Sequence, residues 1–151
     1  MLTQAEFDQI LDDPSKRIDG DITWTNSNNT LWSQFRADII TSSDHDLFIQ
    51  GSYNPVIPAL SYILIYPAAG CRIYGLDLGK DHRNPDGRLV GETHKHSWTE
   101  TFRDKQAYAP PDITAPASNP VEVWQQFCQE ARITHNGIMA PPSDSQLDLF
   151  L

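Results

Sequence analysis

"LSYILIYPAAGCRIYGLDLG", residues 60–79, holds two apolar segments of strand length on either side of a Pro-Ala-Ala-Gly turn. Isoleucine, tyrosine and leucine dominate both segments, and no helical segment separates them, so the stretch reads as an antiparallel hairpin. The same pattern extends outward. "ITWTN" (22–26), "LWSQFRADII" (31–40) and "DLFIQGSY" (46–53) precede it, and "ETHKHSWTE" (92–100) follows after the connection "KDHRNPDGRLVG" (80–91). In the second of these, Phe35, Ala37 and Ile39 fall on one face and Gln34, Arg36 and Asp38 on the other. With only turns between strands, the simplest topology is a meander.

Helices are signalled at the two ends. Thr3 followed by Glu6 suits a capping box, Phe7, Ile10 and Leu11 recur at helical spacing, and Asp13-Pro14 supplies a stop. Asn119 as cap, Pro120 at the first position and the stripe Val123, Trp124, Phe127 and Ala131 predict a second helix over 120–133, stopped by Asn136-Gly137. The predicted class is α+β, an antiparallel meander sheet of four to six strands with an N-terminal and a C-terminal helix packed on one face. Residues 1–138 form one expected domain and 139–151 a flexible tail.

Composition bounds the function. A chain of 151 residues with 39% hydrophobic and 21% charged residues suits one globular unit. No run approaches the roughly 18 apolar residues that span a bilayer. The N-terminal segment lacks the basic and apolar regions of a secretory signal. Cys71 and Cys128 are too few and too dispersed for a disulfide framework, so a reduced, cytoplasmic protein without membrane attachment is expected. The net charge of −9 disfavours a surface that coats nucleic acid. Residues 72–105 nevertheless carry seven of the eleven basic residues against six acids, leaving 14 acids and 4 bases elsewhere. That distribution fits a confined anion site.

The same region holds His82, His94 and His96. In a strand His94, His96 and Trp98 share one face and Lys95 the other. Two imidazoles and an arginine are the minimum for metal-independent phosphodiester chemistry, with His94 and His96 as base and acid, and Arg72 or His82 on the phosphate. Lys105 and Tyr108 suit the same phosphate. No cofactor is required by that reading. A divalent metal at His94 and His96, with Asp77, His82 or Glu100 as a further ligand, is the alternative. A third reading leaves the histidines structural, bonded to backbone beside Trp98, and Tyr108 at the edge of the core. Arg72 and Asp77 lie on opposite faces by alternation unless a bulge intervenes.

Arg72, Leu76-Asp77, "HRNPDG" at 82–87, Gly91, His94-x-His96, Glu100 and "DKQAY" at 104–108 resemble the signature of an uncharacterised family of small bacterial proteins that accompany mobile elements. The resemblance spans residues 46–133 and implies no established activity. It implies an accessory-gene context such as phage defence or a toxin–antitoxin pair, with a cognate antitoxin or immunity protein as partner, while RNA or a nucleotide is the ligand expected from the phosphate reading of the histidine site. Lys95 departs from the apolar residue expected between the histidines, which points to a strand more exposed on its second face. At the C-terminus, Gln146, Leu147, Asp148, Leu149 and Phe150 resemble the bacterial sliding-clamp-binding motif at all five positions, implying the DNA polymerase clamp as partner. The other reading of this tail is a terminal segment folded back on the core.

Overall fold

The computed structural model describes residues 1–28 and 30–142. Helix α1 (Gln4–Asp12) begins where Thr3 Oγ1 accepts the Glu6 N–H at 3.1 Å, and it buries Phe7 and Ile10. Its last turn is closed by Lys16, whose ammonium donates to the carbonyls of Ile10, Leu11 and Asp13 at 2.5, 2.7 and 2.8 Å. These are carbonyls that a helix end leaves without partners, and a buried cation completes them.

Strands β1 (Arg17–Asp19), β2 (Thr25–Asn26), β3 (Ser33–Ile39), β4 (Leu47–Asn54), β5 (Ala59–Tyr66), β6 (Cys71–Leu78), β7 (Thr93–Ser97) and β8 (Ala107–Tyr108) follow, then α2 (Pro120–Ala131) and β9 (Thr134–Asn136). Among the described residues β2 to β8 form one antiparallel sheet in sequence order. The meander is as expected and has seven strands rather than four to six. The additional strand, β8, is two residues long, too short for a periodic signal. A separate parallel pair, β1 with β9, ties the two ends of the chain together.

Helix α2 starts at the expected cap, with Asn119 Oδ1 accepting the Glu122 N–H. It stops two residues before the expected end, at Arg132, which adopts a left-handed conformation (φ 55°). Asn136 belongs to β9 instead. Gly137 is there for a close approach, since a Cβ would lie 2.3 Å from the Gly20 carbonyl oxygen.

Apolar side chains from the sheet and both helices merge into one core. Tyr62 packs on Trp124 and Phe127 of α2 (ring centroids 5.1 and 5.8 Å apart), Tyr74 stacks on Phe127 (5.7 Å), and Phe7 of α1 meets Trp98 (6.1 Å). Trp98 is therefore a core residue. It lies one position beyond β7 and does not share the histidine face, contrary to the alternation-based expectation.

Lys95 also reverses an expectation. It pairs with Leu76 on one side and Tyr108 on the other, which places it on the face toward α2. There it is fully buried, bonded to Asp112 Oδ2 at 2.8 Å and to Glu130 of α2, with its ammonium 5.6 Å from the Tyr74 ring centre. The second face of β7 is not exposed, because two carboxylates supply the partners a buried ammonium requires. Burial pushes the Lys95 pKa down, and Asp112 opposes that shift.

Two stability changes are expected. Lys16→Met leaves helix carbonyls without donors, so unfolding free energy falls by about 3 kcal/mol. Thermal denaturation will register that as a loss of roughly 6–12 °C in Tm. Lys95→Ala will cost about 3–5 kcal/mol in urea unfolding. Lys95→Met will cost clearly less, because it fills the buried volume that alanine leaves empty, while in either variant Asp112 and Glu130, 36% and 35% exposed, regain water.

Candidate metal centre

On the face of the sheet opposite α2, neighbouring strands line up Ser61, Asp77 and His94 in one row and Gly75 and His96 in the next. Arg72 reaches the same face through a bulge. Leu64 pairs with Tyr74 and Ile65 with Arg72, so Ile73 is the extra residue. Ile73 and Tyr74 are both buried in the core, and alternation resumes with Arg72 on the side of Asp77. Gly75 leaves room for the arginine stem, since a Cβ there would lie 3.2 Å from Arg72 Cδ.

The connection from β6 to β7 brings in His82. Asp81 Oδ1 accepts the backbone N–H groups of His82 (2.7 Å) and Gly91 (2.8 Å), closing the loop at its base. Asn84 fastens it to the sheet edge: its side-chain amide donates to the Ala107 carbonyl and accepts the Ala107 N–H, both at 2.9 Å. A tight turn joining Thr99 to Arg103 then returns the chain so that Asp104 and Lys105 lie beside the histidines. The ring centroids of His82, His94 and His96 are 4.5–5.5 Å apart.

Each imidazole faces one main-chain carbonyl. His94 Nδ1 is 2.9 Å from the Gly91 oxygen, His96 Nδ1 is 2.8 Å from the Asp104 oxygen, and His82 Nε2 is 2.8 Å from the Lys105 oxygen. A carbonyl only accepts, so those three nitrogens carry the protons. In the neutral rings the lone pairs are then Nε2 of His94 and His96 and Nδ1 of His82. One ring nitrogen from each histidine lies within 4.8 Å of the others.

Asp77 lies against two of these rings, those of His94 and His96. Ser61 Oγ donates to its Oδ1 at 2.5 Å. Its Oδ2 lies 3.3 Å from His94 Nε2, 3.4 Å from His96 Nε2 and 3.9 Å from an Arg72 nitrogen. The imidazole contacts are longer than the roughly 2.7–2.9 Å of a charge-assisted hydrogen bond. They match the roughly 3.3–3.4 Å between neighbouring ligands at the corners of a tetrahedron with bonds of about 2.0–2.1 Å. Arg72 also meets Asp104 Oδ2 at 3.4 Å, and its buried Nε has no partner among the described residues. Burial alone would raise the Asp77 pKa, but the imidazolium form of His94 and His96 and the Ser61 hydroxyl hold its carboxyl far below the usual range. For His94, 2% exposed, burial works downward and is outweighed by Asp77 and the Gly91 carbonyl, so its pKa is raised.

The cluster forms one wall of a cleft of about 560 Å³, which Trp32, Lys80 and Lys105 also line. Of the expected site residues, His82, His94, His96, Arg72, Asp77 and Lys105 come together here. Tyr108 does not. Paired with Lys95, it falls on the α2 face, where its hydroxyl meets Glu130 at 2.9 Å and Tyr74 at 3.4 Å. Glu100 accepts the Gln4 N–H at 2.9 Å, away from the cluster. Gln146, Leu147, Asp148, Leu149 and Phe150 lie outside the described residues. Ser61, Trp32, Lys80, Asp81 and Asn84 are new to the site. Ser61 was legible as the lone polar residue of its strand, whereas the three carbonyls leave no mark on residue identity.

Among the described residues no helix is long and apolar enough to cross a membrane. No curated protein and no solved structure matches the chain. A family model matches the chain from residue 2, so α1 lies within the family unit. Matched over residues 2–133, the chain belongs to DUF6978, a family of unknown function.

Proposed function

We propose that His82, His94, His96 and Asp77 hold a first-row divalent ion and that the centre hydrolyses phosphate esters. The observation that carries this reading is the set of three carbonyl contacts, which leave imidazole lone pairs free beside a carboxylate. Carbonyl-oriented imidazoles are the usual outer support of a metal site, and three nitrogens with one oxygen suit zinc and its neighbours. A metal-free acid–base pair is less well served. Both Nδ1 protons are engaged by backbone, and both Nε2 atoms are turned onto Asp77.

An ion held there would supply Lewis-acid polarisation of a phosphoryl oxygen and activation of water as the nucleophile. The water oxygen bonds to phosphorus, the ester P–O bond breaks, and the water's proton is balanced on the departing alkoxide. Lys80 and Lys105 form no ion pair among the described residues and supply positive charge at the cleft.

The C-terminal Gln146–Phe150 supports a second element, docking on a sliding clamp. With it goes the wider reading of a cytoplasmic bacterial accessory protein from a mobile-element, defence or toxin–antitoxin setting. Both rest on sequence resemblance.

Elemental analysis and calorimetry with Zn²⁺, Mn²⁺ and Co²⁺ should find one ion per chain. His94→Ala and His96→Ala should abolish tight binding, and removal of the supporting Ser61 hydroxyl should weaken it by about 10–100-fold. Wild-type protein that binds no divalent ion sinks the proposal. A chromogenic phosphodiester should be cleaved by the loaded protein, and chelation should stop it.

The pH dependence has opposite signs with and without metal. His94 has a raised folded pKa, so in chelator its stabilising contribution is full below about 6.5 and is lost as pH rises through the folded value. Metal requires the unprotonated ring, so the Tm gain from added ion should grow over that same rise.

For the tail, calorimetry against the clamp should show binding by the intact chain and none by a chain lacking residues 146–151. Equal binding by both would remove the clamp from the account.

A further inference from the structure

Trp32 is an aromatic residue that core packing does not use. Trp24, Trp98 and Trp124 are buried in the core, whereas Trp32 is 37% exposed and lines the cleft that holds the histidines. Its main chain is held on both sides. The Trp32 N–H donates to Thr30 Oγ1 at 3.1 Å, and its carbonyl accepts the Ser27 N–H (2.9 Å) and the Asn26 side-chain amide (3.2 Å). Ser33, which follows, is buried, so alternation turns Trp32 toward the open face of the sheet with Gln34 and Arg36. A part-exposed indole on an anchored main chain, lining a polar cleft, is an arrangement that can take a flat ring.

The spacing defines what such a ligand must be. Trp32 leads into β3 and the imidazoles stand on β7, four strand spacings away, or roughly 19 Å. Between them β5 presents Ala59 and Ser61, two small side chains that leave the floor of the cleft low. Lone phosphate does not bridge that distance. A phosphate carrying a sugar and a planar base does, once the indole and the imidazoles reach inward from the two ends. Lys80 and Lys105 lie in the same cleft, on the phosphate side with His82.

We propose that the cleft binds a nucleoside monophosphate, with the base stacked on Trp32 and the phosphate on Lys80, Lys105 and the metal centre. The proposal rests on the phosphate-ester reading for its phosphate end and adds the base end. A long single strand fits less well, because outside residues 72–105 the chain carries 14 acids against 4 bases.

Calorimetry on the zinc-loaded full chain separates the two ends, using adenosine 5′-monophosphate, ribose 5-phosphate, adenosine and a single-stranded trinucleotide. The nucleotide should bind between about 5- and 150-fold more tightly than ribose 5-phosphate, the range of one base stacked on an aromatic ring. Trp32→Ala should erase that preference while leaving ribose 5-phosphate affinity unchanged, and Trp32→Phe should retain most of it. Equal wild-type affinity for the nucleotide and ribose 5-phosphate overturns the proposal, as does a preference that survives Trp32→Ala. If both sugar phosphates bind equally and both depend on His94, only the base end has failed. If adenosine binds as tightly as the nucleotide, through Trp32 and without metal, the phosphate-ester reading has failed instead. Much tighter binding of the trinucleotide than of the mononucleotide would overturn the choice of a monophosphate in favour of a strand.

Discussion

The register of β7 against β6 is the constraint on which the rest of the structure depends. Leu76 lies opposite Lys95, while Asp77 and Gly75 lie opposite His94 and His96. A slip of one residue would turn Lys95 into the cleft and drive both imidazoles under α2. Neither face tolerates it. On one side the ammonium is bonded to Asp112 and Glu130, and on the other Asp77 meets both histidines. A five-residue strand is thereby specified twice, by opposite charges on opposite faces.

Strands and loops divide the work at the cluster. Strands supply Asp77, His94 and His96 at a spacing set by the pleat, and loops supply the carbonyls that orient the rings. The loops are themselves held by short polar side chains, Asp81 at the base of one and Asn84 against the sheet edge. Orientation therefore depends on main-chain atoms whose positions are set some distance from the chemistry. That is the arrangement expected where ring direction must be held within narrow limits.

Much of this was legible from residue order. Alternation within "THKHS" placed His94 and His96 together, and the run of strands without intervening helices predicted the meander. Lys95 was misread because periodicity assigns a residue to a face but does not say what covers that face. Asp112 and Glu130 are 17 and 35 residues further on. Arg72 required the bulge, whose trace in the sequence is the adjacent pair of large apolar residues Ile73-Tyr74 in an otherwise alternating strand. Tyr108 followed Lys95 to the wrong side, since nothing local fixes the pairing of a two-residue strand. The β1–β9 pair was invisible for a related reason: three residues make no period, and the partners are 117 positions apart.

The bonds between Asn84 and Ala107 have a bearing on solubility. Strand β8 ends the sheet on one side, and a terminal strand offers its outward N–H and C=O groups to any other extended chain. Asn84 occupies both groups of Ala107 with a single side-chain amide, much as one residue of a neighbouring strand would. On the β8 side the sheet thus ends in a short border whose outward groups Asn84 already occupies, so the cluster lies next to a blocked edge rather than an aggregation-prone one.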